Sequence, residues 1–162
     1  IANVAGSAMA ISQELIWREQ RINIKFSWHD TEYNEYNPEL LGDEFPETLF
    51  KDYNGQTYWL SGNIKSFLKE DSKFPAWLNI AAGYGAAGMT GANDNSKTDA
   101  AGYPVSERYR QFYLAPDIDL TKIKTKSKVL KTVFSAFGFL KIPAPTLEYN
   151  NQNNLKFHWL YF

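Results

Sequence analysis

A chain of 162 residues is long enough to bury a core and short enough to form one domain. Its 17 Lys and Arg against 18 Asp and Glu leave no basic excess to favour nucleic acid, and the absence of Cys excludes disulfides, thiolate metal sites and Cys nucleophiles. Aromatic residues make up 16% of a chain that is only 44% hydrophobic, and no apolar run reaches the roughly 18 residues of a transmembrane helix. Such a composition suits a sheet with one apolar and one wet side, as in transmembrane barrels with aromatic girdles. A soluble β-rich domain with an aromatic core draws on the same residues.

Residues 2–17 read as a helix in which Ala2, Gly6 and Ala10, four apart, would permit close packing, and an ordinary buried helix is expected. The chain opens inside this helix, so a longer protein that continues upstream is expected. The next segment alternates over eight residues. Ile22, Ile24, Phe26 and Trp28 fall on one face; Arg21, Asn23, Lys25 and Ser27 fall on the other. That length approaches the roughly 9–11 residues of a tilted membrane-crossing strand. With the apolar face toward lipid and the polar face wet, Ile24→Arg is expected to impair assembly and Lys25→Gln to be tolerated. A soluble sheet alternates equally well.

Residues 31–45 are acidic and turn-rich and read as a loop. A short helix follows over 46–52, with Pro46 in its first turn, and Tyr53-Asn54-Gly55 marks a turn. A second strand spans 56–64, and a third begins at Ala76 with Leu78, Ile80, Ala82 and Tyr84 on one face. Residues 89–104 are small and polar and read as a long mobile loop before a fourth strand near 107–115. Residues 125–140 form the best-defined helix, with Val129, Leu130, Val133, Phe134 and Phe137 on one side. Lys122, Lys124, Lys126, Lys128 and Lys131 crowd its approach and first turns without an acid among them. Basic amphipathic helices of this kind lie on anionic membrane surfaces, which makes Lys124, Lys126, Lys128 and Lys131 membrane-surface candidates; a solvated lysine face is the alternative. Two further strands, near 144–150 and 155–162, are joined by an Asn-rich turn.

Tyr58-Trp59-Leu60-Ser61-Gly62-Asn63-Ile64 resembles Phe112-Tyr113-Leu114-Ala115-Pro116-Asp117-Ile118. Each copy is followed by a Lys-rich stretch and then by Lys73-Phe74-Pro75-Ala76 or Lys141-Ile142-Pro143-Ala144. This reads as one hairpin plan used twice, with helix in the connections.

Chemistry is sparse. Gly83-Tyr84-Gly85-Ala86-Ala87-Gly88 matches G-x-G-x-x-G, but Met89-Thr90-Gly91-Ala92-Asn93 cannot open the helix a dinucleotide site needs, so a glycine-bent strand end is expected. His29 and His158 have no Ser, Asp or Glu at recognisable spacing, and Glu32, Glu35, Glu39, Asp43 and Glu44 lack the register of a calcium loop. No catalytic, cofactor-binding or metal residue is nominated, and no cofactor is implied.

The chain ends on Lys156-Phe157-His158-Trp159-Leu160-Tyr161-Phe162. This looks like the C-terminal insertion signal of outer-membrane β-barrel proteins, with Leu160 and Phe162 at its alternating apolar positions and Lys156 and Phe157 where that signal often carries Gly. Ile22, Ile24, Phe26, Trp28, Leu160 and Phe162 are therefore the membrane-facing candidates. The stretches NVAGSAMAISQELIWREQRI, KDYNGQTYWLS, PAWLNIAAGYGAAGM, DIDLTKIKTKSK and KFHWLYF resemble the C-terminal half of an uncharacterised Bacteroidota family of predicted lipoproteins of unknown function, related to the YfiM group. The resemblance spans residues 3–162 and implies an envelope location, a helical upstream half and no known activity or functional residues.

The expected fold is a β-rich α+β domain over 1–162: an antiparallel, barrel-like, aromatic-rich sheet with an N-terminal helix and at least one basic amphipathic helix. Six strands are two fewer than the smallest bacterial barrels, so missed strands at 32–36 and 85–89, helices or a partner would have to close the sheet. The expected role is structural or accessory in the outer membrane, with outer-membrane lipid and other outer-membrane proteins as partners and no nucleic acid. The alternatives are a soluble periplasmic module holding lipid or glycan on its aromatics, and an enzyme whose catalytic residues lie upstream.

Overall fold

A computed structural model describes residues 2–95 and 106–162, without the side chains of Ala2, Asn3 and Ala5. Six strands pair in chain order as one antiparallel meander: β1 (Ile22–Trp28), β2 (Gln56–Asn63), β3 (Leu78–Ala87), β4 (Tyr109–Ile118), β5 (Ala144–Asn150) and β6 (Leu155–Tyr161). Helices are α1 (Ala2–Trp17), α2 (Pro38–Leu41), α3 (Glu47–Lys51) and α4 (Lys128–Phe137). The antiparallel, β-rich architecture with an N-terminal helix and a basic amphipathic helix is thus as expected. The candidate strand at 32–36 is a 3-10 turn (Tyr33–Tyr36), and residues 85–87 belong to β3. The expected loop at 89–104 lies partly outside the described residues.

The sheet curls without closing into a barrel. Its curvature brings Lys25 of β1 to Asp117 of β4 and Thr57 of β2 to Tyr161 of β6, so the concave side is filled by side chains. The free edge of β1 is met at one point by the segment leading into β5: the Phe26 amide donates to the Phe139 carbonyl at 2.9 Å, and the Lys141 amide to the Phe26 carbonyl at 2.8 Å. Among the described residues β6 pairs with β5 alone. One end of the sheet carries the β1–β2, β3–β4 and β5–β6 connections. The other carries α1 and the connections 64–77 and 119–143.

α1 is not the buried helix its small-residue stripe led us to expect. Val4, Ile11, Leu15 and Ile16 are exposed, and a Cβ on Gly6 would meet nothing within 4 Å. Among its described side chains Gln13 alone is buried: it accepts from the amides of Arg21 and Ile22 and donates to the Ile22 carbonyl, satisfying backbone where the chain enters β1. α4 is shorter than the expected 125–140 because Ser127, accepting from the Leu130 amide, caps it. None of its side chains is buried.

The two copies of the repeated motif occupy β2 and β4 with equivalent facing: Trp59 and Tyr113 point inward, whereas Tyr58, Leu60, Phe112 and Leu114 point outward. Their ends diverge. Asn63 accepts from the Ser66 amide and caps a 3-10 turn, whereas its counterpart Asp117 is buried in an ion pair and Asp119 takes the capping role on Thr121.

Candidate functional site

The sheet has inverted polarity. The register aligns Ile24, Leu60, Ala82, Leu114, Leu147 and Phe157 as one row across all six strands on the convex face. One step along the strands a second row joins Phe26, Tyr58, Tyr84, Phe112, Tyr149 and Leu155. Phe26 and Tyr58 lie 5.6 Å apart, as do Tyr84 and Phe112. The aliphatic members of the first row other than Ala82 are 44–54% exposed, and Trp159 is 81% exposed. A water-facing sheet would set polar residues here.

The second row has a direction. Tyr58 donates its hydroxyl to Gln56 at 2.9 Å and Tyr149 donates to Asn153 at 2.9 Å, so both phenols reach toward the acidic-loop end and leave their rings beside the aliphatic row. Rings with a wet tip and an apolar body are suited to a boundary between polar and apolar media.

The concave face holds the polar residues, buried. Lys25 Nζ lies 2.7 Å from Asp117 Oδ2 and donates to the Ile118 carbonyl at 2.7 Å. Ser61 donates to the same carboxylate at 2.6 Å, Asn79 to Ser61 at 2.9 Å and Asn63 to Asn79 at 2.8 Å. Lys141 Nζ lies 3.7 Å from Asp117 Oδ1 and 5.1 Å from the Trp59 ring, and its burial holds the ammonium pKa below the ordinary lysine value. Lys25 and Ser27 are therefore not the wet residues expected from the alternation; they are 1% and 5% exposed. Lys25 neutralises a carboxylate that has no access to water.

A second inward cluster stacks Trp59, Tyr113 and Tyr161, with Tyr113 and Tyr161 centroids 4.6 Å apart. Tyr161 donates to Tyr113 at 2.7 Å, and burial pushes both phenols above the ordinary tyrosine range. Tyr109, on the same strand, is pushed up to about 12, chiefly by burial. Room for these rings comes from the glycines. A Cβ on Gly83 would come within 2.7 Å of the Trp59 ring, so the G-x-G-x-x-G match is a packing device inside β3 rather than a phosphate loop. Gly88 (φ 72°) completes it, since a Cβ there would strike the Glu107 carbonyl at 1.9 Å.

His158 Nε2 lies 2.7 Å from Glu148 Oε2, and Gln111 donates to Glu148 Oε1 at 3.0 Å. This acid–base pair was not legible because β5–β6 register alone brings the two together. No hydroxyl completes a nucleophilic set with it among the hydrogen bonds of the described residues. His29 stands edge-on to Tyr161 at 5.4 Å, and burial lowers its pKa below 6.5. Among the described residues there is no cluster of three or more His, Asp or Glu that could hold a metal ion, and no helix is long and apolar enough to cross a membrane.

Ile24, Leu160 and Phe162 are exposed, while Ile22, Phe26 and Trp28 are half-buried, Trp28 by Phe45 at 6.1 Å. A bulge in the β5–β6 pairing displaces the C-terminal alternation, so His158 and Tyr161 turn inward and Trp159 and Leu160 are both exposed. Lys124, Lys126, Lys128 and Lys131 are all exposed. They flank an apolar arc of α4 (Val129, Leu130, Val133 and Phe137) that is itself 40–72% exposed.

No family, curated protein or solved structure matches the chain.

Proposed function

We propose that this chain is a structural or accessory element of a Gram-negative outer membrane, its convex face toward acyl chains and its concave face a packed polar interior. The observation that carries the reading is the pair of rows across six strands, one aliphatic and one aromatic with phenol tips turned to one end. In water, exposing these side chains forgoes about 1.5–3 kcal/mol for each large residue that could have been buried. In hydrocarbon the same placement is the favourable one. From Leu78 to Tyr84 the strand runs about 20 Å, or about 16 Å in height at a 40° tilt, against a band of about 25 Å in outer-membrane barrels. The exposed Phe67 and Leu68 continue the apolar surface beyond the Trp77 end.

Charge is distributed to match. The β1–β2 connection, 29–55, carries eight acids and one base, whereas the connections 64–77 and 119–143 carry nine lysines against three acids. A basic end bearing an amphipathic helix suits an anionic membrane surface. Because unpaired strand groups cost several kcal/mol each in hydrocarbon, the edge of β6 requires cover. This favours assembly with another envelope protein.

Fractionation of cells expressing the full-length protein tests the reading. The protein should stay with outer membranes through carbonate and high salt, and Trp159 fluorescence should be quenched by brominated acyl chains. Release by carbonate, or a Trp159 quenched only by aqueous iodide, would refute it.

A further inference from the structure

Within the β4–β5 connection, between residues 120–125 and α4, lies a cavity of about 400 Å³. Its polar lining consists of three lysines, Lys122, Lys124 and Lys131, and three hydroxyl residues, Thr121, Thr125 and Ser135. The chain contains no acid between Asp119 and Glu148. Asp119 is itself buried and turned onto the Thr121 amide and hydroxyl. Among the described residues none of the three lysines makes an ion pair. The Thr125 hydroxyl accepts from the Ser127 amide at 3.2 Å, which leaves its own proton free to donate. Three exposed lysines and a free hydroxyl lining one hollow suit a compact, multiply accepting anion.

We infer that this cavity binds the phosphate of an anionic phospholipid. The inference rests on the lipid-facing reading of the sheet and goes beyond it in assigning a specific headgroup site. Phe134 on α4 supplies an apolar wall to the same cavity, and Pro116, four residues before Leu120 of its lining, belongs to a groove of about 400 Å³ that is almost wholly apolar and also lined by Ile80, Leu114, Leu147 and Phe157. Chain geometry sets the two no more than about 14 Å apart at Pro116 and Leu120. That is within half of a hydrocarbon core about 30 Å thick. A lipid is therefore the better source of phosphate here than a soluble anion. Lys126 and Lys128, exposed but outside the cavity lining, contribute only to the general field.

The full-length protein in neutral detergent micelles, titrated with phosphatidylglycerol or phosphatidylcholine and read by native mass spectrometry, tests the assignment. Phosphatidylglycerol should be preferred, and Lys122→Gln/Lys124→Gln/Lys131→Gln should lower that preference by about 100-fold, at roughly fivefold per lysine. Lys65→Gln/Lys69→Gln/Lys73→Gln, which removes equal charge from the neighbouring connection, should lower it far less. Equal losses in the two variants, or no headgroup preference in the parent, would overturn the site. Binding of inorganic phosphate without preference for phosphatidylglycerol would overturn the lipid assignment. Carbonate resistance reports on the sheet and lipid selectivity on the cavity, so failure of either is separately visible.

Discussion

Lys25→Met is the sharpest test of the polar interior. The ammonium it removes is 1% exposed and lies 2.7 Å from a carboxylate that is fully buried. Deleting it strands Asp117 with Lys141 at 3.7 Å as its remaining cation and deprives the Ile118 carbonyl of a donor. Breaking a buried pair from one side costs about 3–5 kcal/mol, much of a stability that is typically only about 5–15 kcal/mol. Urea titration of protein folded in detergent micelles or lipid vesicles, followed by tryptophan fluorescence, should show that loss as a lower midpoint. Adding Asp117→Asn removes the uncompensated charge while keeping an acceptor for Ser61, and should restore more than half of it. A Lys25→Met protein within 1 kcal/mol of the parent would refute the buried-pair account. So would a double variant whose loss is the sum of the two single losses.

Three other perturbations follow from the geometry. Gly83→Ala sets a methyl within 2.7 Å of the Trp59 ring and should cost about 1–3 kcal/mol by overpacking, measured by the same titration. Ile24→Arg should cost about 2–4 kcal/mol in bilayers if its position is near the midplane, and far less in water-filled surroundings; equal cost in vesicles and in soluble refolding mixtures would argue against the lipid-facing reading. Burial lowers the His29 pKa, with Asp52 opposing, so the unfolded chain binds this proton first as pH falls. The stability carried by neutral His29 is then complete above about pH 6.5 and is lost progressively below it, toward the depressed folded value. Unfolding midpoints at pH 8 and pH 5 should differ in that sense, and His29→Gln should reduce the difference.

Much of the element order was legible because its signals are local. Alternation located β1, Pro46 and Tyr53-Asn54-Gly55 bracketed α3 and its turn, and the Asn-rich stretch gave the β5–β6 turn, where Asn150 accepts from the amides of Gln152 and Asn154 and Asn153 sits at φ 62°. What escaped depends on partners distant in sequence. Nothing near Asp117 announces that Lys25, 92 residues earlier, neutralises it, and nothing near Glu148 announces His158. The bulge before Tyr161 was likewise hidden, because apolar residues at 157, 159, 160 and 162 fit either phase.

The harder problem was which face is inside. A period of two divides a strand into faces but is symmetric under their exchange, so Ile24 and Lys25 alternate identically whether water lies on one side or neither. Residue size breaks the symmetry. On the inward face, Trp59 and Tyr113 each pair across with Gly83, and the small Ala81 pairs with Ser61 and Ala115, which leaves the room that a tightly curled concave surface requires. On the outward face, Tyr58 meets Phe26 and Tyr84, and Leu114 meets Leu147, large against large as a convex surface allows. Gly83 and Gly85 therefore carried the missing information. Read as a nucleotide motif they say nothing, but read as vacancies opposite Trp59 and Tyr113 they put the polar face on the inside of the curve.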